Sequence, residues 1–116
     1  MKYVLLTLAA LAAAVPTVYA GPIGGAGCRI EAVQRFATDE YRVTFYGGQT
    51  ARVSVSGDRD TDLDLYVYDE FGNLIASDTD LSDQCVVGFT PRWTGKFVIR
   101  VVNRGGVYNR YTICAA

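Results

Sequence analysis

Carboxylates are the side chains whose spacing stands out in this chain. Asp58, Asp60, Asp62 and Asp64 occupy alternate positions, and Asp78 and Asp80 repeat that spacing. In an extended backbone the row projects to one side, with like charges about 7 Å apart. Such a row repels itself unless something compensates. A hard cation held by oxygen ligands is one compensator, and calcium suits flexible carboxylate clusters outside the cell. Asp58, Asp60, Asp62, Asp64, Asp78 and Asp80 are therefore the candidate metal ligands; calcium is the candidate cation and no cofactor is required. The helix–loop–helix calcium loop is rejected: counted from Asp58, its sixth position is Leu63 instead of glycine and its twelfth is Asp69 instead of glutamate. The same aspartates also read as loop chemistry, because Asp side chains hydrogen-bond turn backbones. Basic strands lying alongside would compensate the row equally well.

Aromatic side chains form the second constellation. Tyr66 and Tyr68 share a face opposite Leu63, Leu65 and Val67, and Trp93 is the lone tryptophan. Tyr and Trp dominate binding hot spots, so Tyr66, Tyr68 and Trp93 are candidate ligand-binding residues for an extracellular protein or polysaccharide. Rings that cover a sheet or fill a core give the same pattern.

Catalytic chemistry is largely excluded. The chain has no histidine, which removes Ser-His-Asp and Cys-His pairs, histidine bases and histidine metal ligands. Gly24-Gly25-Ala26-Gly27 lacks the preceding strand and following Lys-Ser/Thr of a phosphate loop. Twelve acids make chance carboxylate pairs common, so glycosidase chemistry has no specific signal. No enzymatic activity is expected. Cys28, Cys85 and Cys114 form no Cys-x-x-Cys pair, which argues against zinc. One disulfide among the three, leaving one thiol, is expected in an oxidising compartment.

The elements that must position these residues are strands. Tyr41, Val43 and Phe45 alternate with polar neighbours; so do Ala51, Val53 and Val55, then Leu63, Leu65 and Val67, then Phe97, Ile99 and Val101. Leu74 to Ala76 adds a short return strand, Val86 to Thr90 another run stopped by Pro91, and Tyr108 to Cys114 the last. Asp69-Glu70-Phe71-Gly72-Asn73 reads as a turn in which Gly72 takes positive φ. Cys28 to Ala37 is either a short helix, from the spacing of Ile30, Val33 and Phe36, or an edge strand. Period-two alternation buries one face of each strand. Seven to eight such strands in one small domain predict an all-β, antiparallel, jelly-roll-like sandwich.

The N-terminus predicts export. Lys2 precedes an apolar run from Val4 to Val15, and Val18-Tyr19-Ala20 offers small residues for cleavage after Ala20. Residues 1–20 read as a signal peptide and 21–39 as a lead-in. The apolar run falls short of the roughly 20 residues a bilayer span needs, so no membrane span is expected after cleavage. The expected location is secreted or periplasmic, in a bacterium. Without Lys2, 10 bases face 12 acids, which is no polyanion-wide balance, and nucleic acid is not an expected partner. The charges are segregated, however. Nine acids and only Arg59 as a base lie between Gly57 and Asp83, while Arg92, Lys96, Arg100, Arg104 and Arg110 follow with no acid among them.

Asp62-Leu63-Asp64-Leu65-Tyr66-Val67-Tyr68-Asp69, followed by Gly72-Asn73-Leu74-Ile75-Ala76-Ser77-Asp78, closely resembles the bacterial pre-peptidase C-terminal domain. So do Phe89-Thr90-Pro91, Gly95-Lys96-Phe97-Val98-Ile99-Arg100-Val101 and Asn109-Arg110-Tyr111-Thr112. Residues 40–116 are assigned to that domain. The resemblance implies a jelly-roll-like sandwich that usually trails a secreted peptidase and is not itself catalytic. Some collagenase-associated relatives bind calcium and collagen, drawing calcium ligands from an acidic linker; Gly21 to Gly27 holds no acid. The leading expectation is a non-catalytic exported module that binds an extracellular protein or polysaccharide. The alternatives are a calcium-stabilised structural protein of the periplasm or cell surface, or an accessory or inhibitor of a secreted peptidase.

Overall fold

The structure, a computed structural model, describes residues 17–19 and 27–116. Its strands are β1 (Thr17–Tyr19), β2 (Gly27–Val33), β3 (Thr38–Phe45), β4 (Ala51–Ser56), β5 (Leu63–Tyr68), β6 (Leu74–Asp78), β7 (Gln84–Phe89), β8 (Gly95–Asn103) and β9 (Asn109–Ala115). The described residues contain no helix. β2 to β9 form two antiparallel four-stranded sheets, in the orders β3-β8-β5-β6 and β2-β9-β4-β7. Each sheet interleaves strands from the two halves of the chain, as a double Greek-key jelly roll does. β1 lies parallel to β3, pairing Val18 with Tyr41; it falls inside the expected leader, whose cleavage point lies outside the described residues.

Alternation decides which face each strand buries. Tyr41, Val43 and Phe45 of β3 face inward with Leu63, Leu65 and Val67 of β5 and Phe97, Ile99 and Val101 of β8, and all are buried. Val53 and Val55 of β4 and Tyr111 and Ile113 of β9 close the core from the other sheet. Phe45 meets Phe89 edge-on at 5.1 Å between ring centroids and Phe97 at 5.6 Å, the offset geometry aromatic quadrupoles favour.

Residues 28–37 settle as an edge strand and a turn. β2 pairs with β9 from Gly27↔Ala115 to Val33↔Asn109. Of the apolar residues at helical spacing, only Val33 is buried; Ile30 and Phe36 are exposed. β2 is therefore a strand of the sandwich, although it lies in the stretch expected as a lead-in. Cys28 and Cys114 are register partners with Cα atoms 4.1 Å apart, and they form the disulfide. Cys85 stays free and buried, and its thiol donates to the carbonyl of Leu63 at 3.2 Å. Burial, aided by Asp78, Asp80, Asp64 and Asp62, pushes that thiol up to about 12, so it behaves as a small core side chain.

A polar chain crosses the core. The Tyr111 hydroxyl donates to Asp39 Oδ2 at 2.6 Å and also bonds to the Tyr41 hydroxyl. Asp39 is 5 % exposed, and burial raises its pKa against the hydrogen bond from Tyr111.

Candidate functional site

The aspartate row divides among several tasks. Asp58 accepts from the amides of Asp60 and Arg110, Asp78 from the amide of Val86, and Asp80 from the amide and hydroxyl of Ser82. The bonds to Asp60 and Ser82 are the local turn caps that short acidic side chains perform, while those to Arg110 and Val86 tie the loops to β9 and β7. Asp60 is exposed in the β4–β5 loop. Asp64 is 4 % exposed and its Oδ2 accepts from Arg104 Nε at 2.7 Å, so one compensator is a base from the end of β8. Asp62 Oδ1 and Asp64 Oδ1 are buried without a hydrogen-bond partner. Burial raises the pKa of Asp62, and the nearby Asp64, Asp80 and Asp83 add to it against Arg104. Among the described residues no group of three or more His, Cys, Asp or Glu is placed to hold a metal ion. The six expected ligands therefore do not assemble as one cluster, and only Asp62 and Asp64 keep buried oxygens unspent.

Loop closure at this end depends on a residue the aspartate pattern did not flag. Asp83 accepts from the amide of Arg59 and from Asn109 Nδ2 through Oδ2, and from Gln84 Nε2 through Oδ1. Burial works against its ionisation, yet those hydrogen bonds hold the carboxyl below its ordinary value. A Cβ on Gly57 would collide with Asp83 and Asn109, which explains the glycine.

The outward face of the β3-β8-β5-β6 sheet carries the tyrosines. Cross-strand register lines up Glu40, Arg100, Tyr66 and Ser77 in one row and Arg42, Val98, Tyr68 and Leu74 in the next. Tyr66 and Tyr68 lie two residues apart on one strand and therefore on one face. Their rings stack with centroids 6.3 Å apart and planes 22° from parallel. The Arg100 guanidinium sits 5.3 Å above the Tyr68 ring, a cation–π contact. Arg104 Nη2 donates to the Tyr66 hydroxyl at 3.1 Å. Glu40 is gripped by Arg42 at 3.1 Å and by Arg100 at 3.2 Å. Beside Tyr68 a shallow depression of about 250 Å³ is lined by Glu40, Arg42, Val98, Arg100 and the β5–β6 turn.

Trp93 lies elsewhere, in the β7–β8 loop at the end of the sandwich opposite the acidic loops. Its ring packs on Phe71 of the β5–β6 turn at 5.9 Å, and both rings remain exposed. A Cβ on Gly95 would lie 3.2 Å from the Trp93 ring. A cavity of about 330 Å³ opens there between Trp93, Ile75, Pro91, Arg92 and Asn73. Asp69 lines both hollows. Its carboxylate accepts from the amides of Phe71 and Asn73 and from Asn73 Nδ2. Those bonds outweigh burial and lower its pKa, and Gly72 takes φ 86° as the turn requires. Two expected binding residues thus share one face and the third sits past a rigid turn. Arg42, Arg100 and Phe71 join them without having been singled out; the alternation parity of the two arginines was visible, their cross-strand partners and the Phe71–Trp93 contact were not.

No protein-family model matches the chain, and comparison with curated proteins finds no relative. Solved structures do match. The pre-peptidase C-terminal domain of a Bacillus anthracis collagenase superposes with TM-score 0.70 at 12 % identity, covering 88 % of this chain and 94 % of that one. A periplasmic inhibitor of g-type lysozyme from Aeromonas hydrophila gives 0.67 at 15 % identity, over 88 % and 96 %. A surface-associated copper-binding protein of Methylomicrobium album gives 0.62 at 7 % identity, over 89 % and 99 %. At these identities the likeness concerns architecture. The chain carries the jelly-roll sandwich fold of the pre-peptidase C-terminal domain, as the stretch from Asp62 onward led one to expect.

Proposed function

We propose that this protein is an exported, non-catalytic module that binds an extracellular polymer, protein or polysaccharide, on the outward face of the β3-β8-β5-β6 sheet. The observation that carries this reading is the stacked Tyr66–Tyr68 pair, flanked by Arg100 and Arg104, on a sheet face over which the described residues lay no second sheet. Flat rings on a rigid sheet cost little conformational entropy to present, which is why Tyr anchors recur at interfaces. The Cys28–Cys114 disulfide supports export, since such bonds persist in oxidising compartments. The fold itself does not choose the partner: the sandwiches it resembles belong to proteins with different roles, and function lies in the grafted site. Co-sedimentation with insoluble collagen, cellulose and acidic polysaccharide gels tests the reading. Tyr66→Ala combined with Tyr68→Ala should lower affinity about tenfold, as loss of two anchor rings does. Unchanged retention of that variant would move the site off this face.

A second reading, a calcium-stabilised structural protein, is favoured by the orphaned oxygens of Asp62 and Asp64. Saturating calcium would then raise stability by about 2.7 kcal/mol at 100 times its dissociation constant. Melting curves in calcium and in chelator that superimpose would dismiss it.

A further inference from the structure

We infer that the polymer held on this face is an acidic polysaccharide, a chain of sugar rings bearing carboxylates. The inference rests on the reading that the tyrosine face is the binding surface. Although the chain as a whole carries a formal net charge of −1, its acids and bases are sorted in space. Asp58, Asp60, Asp62, Asp80 and Asp83 gather in the loops before β5 and β7, at one end of the sandwich. The face itself bears Arg42, Lys96, Arg100 and Arg104 against Glu40 and Asp64, with Asp69 and Glu70 of the β5–β6 turn at the rim of the hollow beside Tyr68.

Glu40 and Asp64 are engaged by the face's own arginines, and Asp69 by the amides of its turn. Glu40 has 13 % of its side chain exposed and Asp64 has 6 %, whereas Arg42, Arg100 and Arg104 each leave about half of theirs in solvent. The strands of the face therefore show water their arginines and withdraw their carboxylates, and Glu70 in the β5–β6 turn is the exposed acid at its rim. Guanidinium groups offer planar, forked donors that match carboxylates. The tyrosine rings between them present an aromatic strip on which the C–H faces of sugars can lie. Shape favours a polysaccharide over a protein. The hollow beside Tyr68 is shallow, and apart from Leu74 on the β6 edge the large exposed apolar side chains near it, Phe71 and Trp93, stand at the end of the sandwich. A flat, cationic, ring-lined strip fits a flat, anionic, ring-built chain.

Titration calorimetry of the protein with polygalacturonate, with neutral dextran as the uncharged control, tests this. The expected result is binding to polygalacturonate alone, weakening at least about tenfold between about 50 mM and 500 mM salt as the charges are screened. Arg42→Gln together with Arg100→Gln should lower affinity about tenfold or more. Melting temperatures of parent and variant should agree, because both side chains are half-exposed and their ion pairs lie at the surface. Binding to dextran or to collagen in place of polygalacturonate would overturn the inference while leaving the face as a binding surface. Full polygalacturonate affinity in the arginine variant would overturn it by placing the site elsewhere. Failure to bind any polymer would sink both readings.

Discussion

At the scale of single residues, burial and hydrogen bonding separate carboxylates that look alike in the sequence. Asp69 and Asp83 are held ionised by converging donors, and their pKa values fall below the ordinary value. Their contribution to stability is present above the unfolded carboxylate pKa of about 3.9 and is lost as pH falls through their lower folded values. Asp39 behaves in the opposite sense. Burial raises its pKa, with Glu31 adding to the shift and the Tyr111 hydroxyl opposing it. The folded state therefore holds a proton that the unfolded chain releases, and stability declines as pH rises from about 3.9 through the raised folded value. Asp39→Asn keeps an acceptor for Tyr111 and removes the charge. Stability measured by urea unfolding should decline with pH less steeply in this variant than in the parent; parallel profiles would show that Asp39 titrates as it does in the unfolded chain.

Elements hold their register through a few ties. β2 is an edge strand that buries only Val33 fully, so its own apolar contact is thin and the Cys28–Cys114 bridge to β9 compensates. The bridge closes a separation of 86 residues, and long loops gain most from cross-linking in the chain-entropy view. Cys28→Ser with Cys114→Ser should cost about 2–4 kcal/mol, lowering the melting temperature by roughly 10 °C or more. An unchanged melting temperature would mean that β2 docks unaided. Cys85 offers an internal control, since a thiol reagent should label it only on unfolding in the double variant. The alternation of the strands beginning at Thr38, Ala51, Leu63 and Gly95 was legible because each buries one face. β2 was not, since an edge strand with outward Ile30 and Cys28 shows neither period cleanly.

Across the whole molecule, two sheets share one core, and a single charge placed in it should be decisive. Leu65 is fully buried on β5, between β8 and β6. Leu65→Asp forces a carboxyl group into that core, at a cost that is a large part of the roughly 5–15 kcal/mol that holds a domain together. Far-UV dichroism should show an unfolded chain, and a variant that keeps its melting temperature would refute the register of β5. By itself the sequence determined the all-β class, most strand positions, the β5–β6 turn and the segregation of charge, because alternation and turn chemistry are local properties. It left open which cysteines pair, whether the aspartates form one cluster, and which cations stand beside Tyr66 and Tyr68. Only the tertiary structure decided these: each depends on which strands become neighbours and in what register, and a jelly roll brings together residues as distant as Cys28 and Cys114 or Glu40 and Arg100.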